Sequence, residues 1–301
     1  MPEGDTIFRT ARTLERALRE QPVERLQPGR SHPKAHELVG QRIVRVESRG
    51  KNLLLHFEEG MVLYTHMRMT GSWHLYRAGE SWRRPQRQAN LAIHTPRHVA
   101  VCFNAPVVEL LTARQLRWHR FLSRLGPDLL AEEPDFEEMT RRLVARPDDP
   151  IGVALLRQEA LCGIGNVYKS ETLFLEGVDP FVRLGRIAGP SLASILRTAR
   201  TLMLANLTGY PRITRRAPQG SRYWVYGRLD APCFRCETPV RMRRQGDAGR
   251  STYWCPACQA APGPLSPGSR PPAGLRNACR SGGSGSPEAL LPLPRPPRRG
   301  R

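Results

Sequence analysis

LCGIGNVYKSETLF, residues 161–174, carries the reading that organises the rest of the chain. Gly163 and Gly165 permit a tight turn, and Asn166 opens an amphipathic run that Gly177 is placed to stop as a C-cap. The free N–H groups and positive dipole end of such a helix suit a phosphate. The same residues also suit a plain helix–turn–helix corner, and taken alone they do not choose. On both sides the pattern is helical. DFEEMTRRLVAR from 135, IGVALLRQEAL from 151, NVYKSETLFLEG from 166 and SLASILRTARTLMLANL from 191 each carry a helix-spaced apolar face.

Upstream, the period changes. From about Gln41 to Leu111, IVRVE alternates, while LLLHF and MVLYTHM are short apolar runs separated by the turn EEG at 58–60. LAIHT and VAVCF, split by a Pro-containing turn, continue the strand pattern and put Cys102 in an apolar strand. A leading helix is expected over 5–19, capped by Asp5 or Thr6, with Ile7, Phe8, Ala11, Leu14 and Leu18 as its apolar stripe. The fold class is therefore α+β, an N-terminal β-sandwich or barrel with a leading helix, followed by a helical domain.

Downstream, residues 208–230 form a basic connector punctuated by Gly and Pro. Cys233-x2-Cys236 and Cys255-x2-Cys258 then stand 18 residues apart, the spacing of a four-cysteine zinc finger with one β-hairpin between its knuckles. Four cysteine ligands leave no open position for water, so such a site is structural. The hairpin would display Arg241, Arg243, Arg244 and Arg250. Residues 259–301 are rich in Pro, Gly, Ser and Arg, with few apolar residues, and read as disordered. Their seven arginines against one glutamate would attract DNA without regard to sequence. Domains are expected at 2–124, 125–229 and 230–260, with a basic tail at 261–301.

The whole chain of 301 residues carries a formal charge of +20. Arginine bias explains why only Lys34, Lys51 and Lys169 are lysines, but not the surplus of basic over acidic residues. That surplus points to a polyanionic partner. No apolar run is long enough to span a bilayer, and the N-terminus lacks the apolar core of a secretory signal. A reducing, cytoplasmic compartment is expected, where seven cysteines suggest metal or free thiols rather than disulfides. The eight histidines show no metal-ligand spacing and read as scattered surface or core residues. Cys162 abuts the helix corner, and nothing gives Cys279 a role.

Pro2 follows Met1 directly. Removal of Met1 would expose a secondary amine, which at a pKa of roughly 8 is partly unprotonated at neutral pH and can attack an aldehyde-like sugar carbon. Glu3 beside it is a candidate proton donor.

Five stretches in order, PEGDTIF at 2–8, GKNLLLHF at 50–57, THMRMTGSW at 65–73, GIGNVYKSE at 163–171 and GRSTYWCPACQ at 249–259, resemble the formamidopyrimidine-DNA glycosylase and endonuclease VIII family of base-excision repair enzymes. The opening PEGD resembles the endonuclease VIII branch. The resemblance implies a helix–two-turns–helix motif and a zinc-bearing, monomeric, bacterial glycosylase and abasic-site lyase associated with the nucleoid. It implies Pro2 as the nucleophile at C1′, Glu3 as the acid that opens the deoxyribose ring, and Lys51 as a hairpin-tip lysine near the lesion phosphate. Asn166 and Arg250 match phosphate-gripping positions. Arg68, Met69 and Thr70 match the loop that fills the hole left by the extruded base, with Met69 the better wedge. The partner implied is damaged double-stranded DNA, with single-stranded or bubble DNA also open. Oxidised pyrimidines are expected over purines, because FNAPVVELL at 103–111 lacks a further wedge arginine. The alternatives are an 8-oxoguanine-type glycosylase and a non-catalytic lesion-binding protein.

Overall fold

A computed structural model describes residues 2–29, 35–209, 211–217 and 219–260. The basic tail at 261–301, with Cys279, and His32 lie outside the described residues.

Helix α1 (Gly4–Leu18) leads into β1 (Arg25–Pro28), a strand not foreseen in the sequence. Two four-stranded antiparallel sheets follow. One has the order β1-β6-β7-β5, from β5 (Ser72–Arg77), β6 (Ala89–His94) and β7 (His98–Phe103). The other has the order β2-β3-β4-β8, from β2 (Ile43–Arg49), β3 (Asn52–Phe57), β4 (Met61–His66) and β8 (Val107–Thr112). The open choice between sandwich and barrel thus resolves to a sandwich. Its core joins Ile7, Leu14 and Leu18 of α1 to Leu53, Leu55, Phe57, Leu91 and Ile93. The turn at 58–60 works as expected, with Gly60 at φ +78°.

Strand β3 is buried on both faces, and the period-two rule explains its two environments. Leu53, Leu55 and Phe57 enter the sandwich core, whereas Leu54 points outward to meet Val62, Tyr64, Leu111 and Leu122. Register pairs Asn52 with His66, Leu54 with Tyr64, and in turn His66 with Val107 and Tyr64 with Glu109. Val107, Glu109, Tyr64 and His66 therefore share the outer face of the second sheet. The chain returns across that face after β8 through the short helix α2 (Ala113–Arg117) and residues 118–125.

The helical part comprises α3 (Phe136–Val144), α4 (Ile151–Ala154), α5 (Asn166–Leu175) and α6 (Gly189–Leu204). Its core gathers Met139, Leu143, Ile151, Leu161, Ile164, Tyr168, Leu173, Ile195, Leu196 and Ala199. Expectation and structure part at IGVALLRQEAL. Only one helical turn forms, because the backbone leaves the helix after Leu155 in successive turns through Gly165. Ile151, Ala154, Leu155, Ala160 and Leu161 are buried all the same, which is why their spacing mimics a longer helix. Gly177 does end α5, at φ +67°. Strands β9 (Arg241–Gln245) and β10 (Arg250–Trp254) form the expected hairpin between the two cysteine pairs.

Candidate active site

The N-terminus meets the helix corner directly. Glu3, and not Asp5 or Thr6, is the N-cap of α1, and its side chain does not cap its own helix. The carboxylate crosses to the N-terminus of α5 instead. There Oε2 accepts the N–H of Gly165 at 2.9 Å and of Tyr168 at 3.3 Å, and Oε1 accepts the N–H of Val167 at 2.9 Å. Three of the N–H groups read as a phosphate site, those of Gly165, Val167 and Tyr168, are therefore already taken by Glu3. An anion does sit at this helix terminus, as the dipole favours, but it belongs to the protein. Asp5 is buried as well, paired with the Arg212 guanidinium, whose Nε lies 3.0 Å from its Oδ2.

Close approach requires the glycines. A Cβ on Gly165 would fall 2.4 Å from Cδ of Glu3, and one on Gly4 would fall 2.9 Å from Cα of Gly163. Gly50, at φ +57°, rests on Cys162, and its N–H donates to Asp128 Oδ2 at 2.6 Å. Asp128 thus fixes the β2–β3 tip from the far side of the cleft, and Lys51 follows immediately.

Pro2, Lys51, Tyr64, His66, Arg68, Met69, Glu109, His119, Phe121, Asn166 and Arg250 line one open cavity of about 700 Å³, which runs between the outer sheet face and the helix corner. Burial pushes the Lys51 ammonium down to about 8, with Glu3 opposing that shift and Arg250 reinforcing it. Burial, aided by Lys51 and Arg68, holds His66 down at about 4. The imidazole is accordingly neutral at pH 7. Its Nδ1 accepts the N–H of Arg68 at 3.1 Å, which supports Arg68 at φ +42°. Thr70 is tied down by donating to Asn104 O at 2.9 Å, while Met69 is 65% exposed.

The zinc-type hairpin docks on α5. Lys169, fully buried, donates from Nζ to Ser251 O at 3.0 Å and Thr252 Oγ1 at 2.7 Å, and Asn166 Nδ2 reaches Ser251 Oγ at 3.4 Å. Three of the four hairpin arginines are engaged elsewhere: Arg241 near Asp230, Arg243 over the Phe181 ring and Arg244 on Gly249 O. Arg250 is the hairpin arginine that lines the cavity. The Sγ atoms of Cys233, Cys236, Cys255 and Cys258 all lie within 4.8 Å of one another, a set that can hold a metal ion. Among the described residues no histidine joins such a group.

The expected site residues Pro2, Glu3, Lys51, Asn166, Arg250 and the 68–70 loop thus converge, with Glu3 beneath the cavity and Thr70 behind the loop. Sequence reasoning missed five others. Two were set aside as scattered histidines: His66 and His119 both face the cavity. His66 stands in THMRMTGSW, where alternation with Tyr64 and Val62 could have marked its face. Asp128, Lys169 and Arg212 had no local signal, because each acts across a long stretch of chain.

The formamidopyrimidine-DNA glycosylase N-terminal domain matches residues 1–116, and the H2TH domain of the same enzymes matches residues 125–214. The chain belongs to the formamidopyrimidine-DNA glycosylase and endonuclease VIII family. Among family members, a probable endonuclease 8 2 of Streptomyces coelicolor is 40% identical over 273 residues, spanning 90% of this chain and 98% of that protein. A DNA-(apurinic or apyrimidinic site) lyase Nei2 of Mycolicibacterium smegmatis is 34% identical over 264 residues, spanning 87% and 100%. In fold, the chain resembles Lactococcus lactis Fpg in complex with abasic-site DNA, at a TM-score of 0.70 and 20% identity over 86% of this chain and all of that one. No helix among the described residues is long and apolar enough to cross a membrane.

Proposed function

We propose that this protein is a bifunctional DNA glycosylase and abasic-site lyase of base-excision repair, with the amine of Pro2 as its nucleophile. The observation that carries the reading is the meeting of Pro2, Lys51, Asn166 and Arg250 on one cavity, above a Glu3 clamped by the N-terminus of α5. A base inside a duplex cannot be attacked at its sugar until it is extruded. Lys51, Asn166, Arg250 and the neutral His66 are donors suited to the phosphates around an extruded nucleotide, and exposed Met69 is suited to fill the vacated stack.

Once Met1 is removed, the Pro2 nitrogen attacks C1′ and the C1′–N bond to the base breaks. The base leaves with the bonding pair and takes up a proton. Glu3 assists opening of the deoxyribose ring, which leaves an iminium ion on Pro2. Loss of a proton from C2′ then expels the 3′ phosphate by β-elimination, and δ-elimination expels the 5′ phosphate.

The metal assigned to the four cysteines is zinc, on the strength of an all-thiolate donor set. It would hold the knuckles together and so present Arg250, taking no part in the chemistry. Oxidised pyrimidines are the proposed substrates. The PEGD start supports this, as does the three-residue turn at 104–106 between β7 and β8, Asn104-Ala105-Pro106, which carries no arginine. A bacterial, cytoplasmic, nucleoid-associated monomer fits the bacterial relatives and the basic charge.

Borohydride trapping on DNA with a preformed abasic site tests the central claim. A covalent complex mapped to Pro2 is expected. A complex mapped to a lysine, or none, would sink the proline mechanism; the second result would leave a lesion-binding protein. Excision of dihydrouracil or thymine glycol should exceed that of 8-oxoguanine opposite cytosine, and the reverse would move the chain to the purine-directed branch.

A further inference from the structure

The segment that supplies His119 and Phe121 to the cavity also carries an exposed aromatic ring. Trp118 is 77% exposed, the highest value for a large apolar residue among those described. The next is Met69, at 65%, and Phe121 is also exposed; both of these line the cavity. Exposed apolar residues scattered singly need no explanation, but Trp118 directly precedes His119 and stands three residues before Phe121, both of which line the cavity with Met69.

Trp118 is held on a rigid frame. Helix α2 starts with a capping box, in which Thr112 and Gln115 exchange hydrogen bonds, and ends with the Trp118 N–H donating to Arg114 O. The next residue, His119, is locked on both sides of its ring. Nε2 lies 3.0 Å from Glu109 Oε2, and Nδ1 accepts the N–H groups of Phe121 and Leu122. That pattern makes Nε2 the donor. Leu122 plugs into the outer sheet face beside Leu54 and Tyr64, and Phe121 meets His66 edge-on at 6.5 Å. The backbone that bears the indole is therefore fixed, while the ring itself stays open to solvent.

Its surroundings are cationic. Arg114, Arg117 and Arg120 are exposed, and none has an acidic or aromatic partner among the described residues. An apolar protein surface would leave these charges buried and unpaired on docking. Nucleic acid satisfies both features, since a base offers a π-face and its phosphates offer charge. Within a duplex both faces of each base are occupied, so an unpaired base is required.

We propose that Trp118 is a stacking platform for an unpaired base flanking the lesion on the damaged strand, with Arg117 and Arg120 on the adjoining phosphates. The proposal rests on reading the cleft as a lesion-binding groove. The lesion strand is the occupant because the groups suited to hold it, Lys51 and His66, line the same cavity as Phe121 and His119. A Met69 wedge also unstacks the neighbours of the lesion, which frees a base to stack. The platform extends the substrate class to single-stranded and bubble DNA.

The test uses the full chain and an oligonucleotide with an uncleavable tetrahydrofuran site flanked by 2-aminopurine, alone and in duplex. Wild-type protein should quench the 2-aminopurine in the single strand. Trp118→Ala should abolish that quenching and weaken single-strand binding by about ten- to a hundredfold, the range for one lost base stack. Trp118→Phe should restore most of both. Arg117→Gln and Arg120→Gln should each lower the slope of log affinity against log salt by roughly 0.7, the value per phosphate on a single strand. Unchanged quenching and affinity in Trp118→Ala would overturn the proposal. So would a loss confined to the duplex that disappears when the opposite base is deleted, because the ring would then serve the other strand. Wild-type trapping with borohydride is read separately. Trp118-dependent quenching without trapping would uphold the platform and sink the proline mechanism.

Discussion

Glu3 and Gly165, separated by 162 residues of chain, are joined by a 2.9 Å hydrogen bond from the glycine N–H to the glutamate Oε2, with no room between them for a Cβ. The N-terminus of the protein is thus positioned by the helix corner. Gly165 is extended, at φ −125°, so alanine there would cause no backbone strain. Gly165→Ala should act only by pushing the carboxylate aside. A cost of about 1–3 kcal/mol in stability is expected from overpacking. Single-turnover base excision should fall at least as far as in Glu3→Gln. Excision at the wild-type rate in Gly165→Ala would show that the clamp is dispensable.

Lys51 sets an upper pH limb. Its folded-state value of about 8 lies below the ordinary 10.5, so between those values the native enzyme has lost a proton that the unfolded chain retains. The ammonium suited to the lesion phosphate is present below pH 8 and disappears as pH rises through it. The Pro2 amine must instead lose its proton, near a reference value of roughly 8. The pH profile of kcat/KM for base excision should therefore be a narrow bell. Lys51→Arg, which stays charged, should remove the alkaline limb and leave the rising one. An alkaline limb that survives in this variant would assign it to another group.

Lys169 tethers the hairpin that carries Arg250. Burial pushes Lys169 down to about 7, and Lys169→Met removes the amine that bonds Ser251 O and Thr252 Oγ1. Metal content should stay the same, because no cysteine is touched. DNA affinity should fall by up to roughly tenfold, the scale of one hydrogen bond. Loss of the metal together with affinity would mean that Lys169 supports the knuckle fold and not merely its placement.

Removing the metal should undo a small part of the molecule. Cys255→Ser, or a chelator, should release one metal ion and disorder the hairpin, since folding of such a knuckle is coupled to ligation. Circular dichroism should retain the strand and helix signal of the sandwich and helical parts, which have their own apolar cores. DNA binding should weaken. Wholesale loss of secondary structure on mild chelation would contradict this division.

Much of the architecture was legible locally. Strand alternation, the turn at 58–60, the cysteine spacing and the glycines of the helix corner each act through neighbours in sequence, so short-range pattern reports them. The helix expected over IGVALLRQEAL failed for the complementary reason. Burial all round gives an apolar spacing that does not distinguish one helical turn followed by tight turns from a continuous helix. The strand β1 was missed because its four residues, RLQP, carry no alternation of their own and gain their place by pairing with β6.

By itself, the sequence determined the α+β class, the four-cysteine hairpin and the basic character, and its ordered motifs marked Pro2, Glu3, Lys51, Asn166 and Arg250 as candidates. Tertiary structure alone decided what those residues face. It turned the helix N-terminus from a vacant phosphate site into the clamp on Glu3, and it brought His66 and His119 from the background into the cleft. It set Asp128, Lys169 and Arg212 beneath the site as its supports. The physical reason is the range of the interactions. A motif is fixed by chemistry within a few residues, whereas a buried ion pair or a clash with a missing Cβ depends on chain segments that only folding brings within 3 Å.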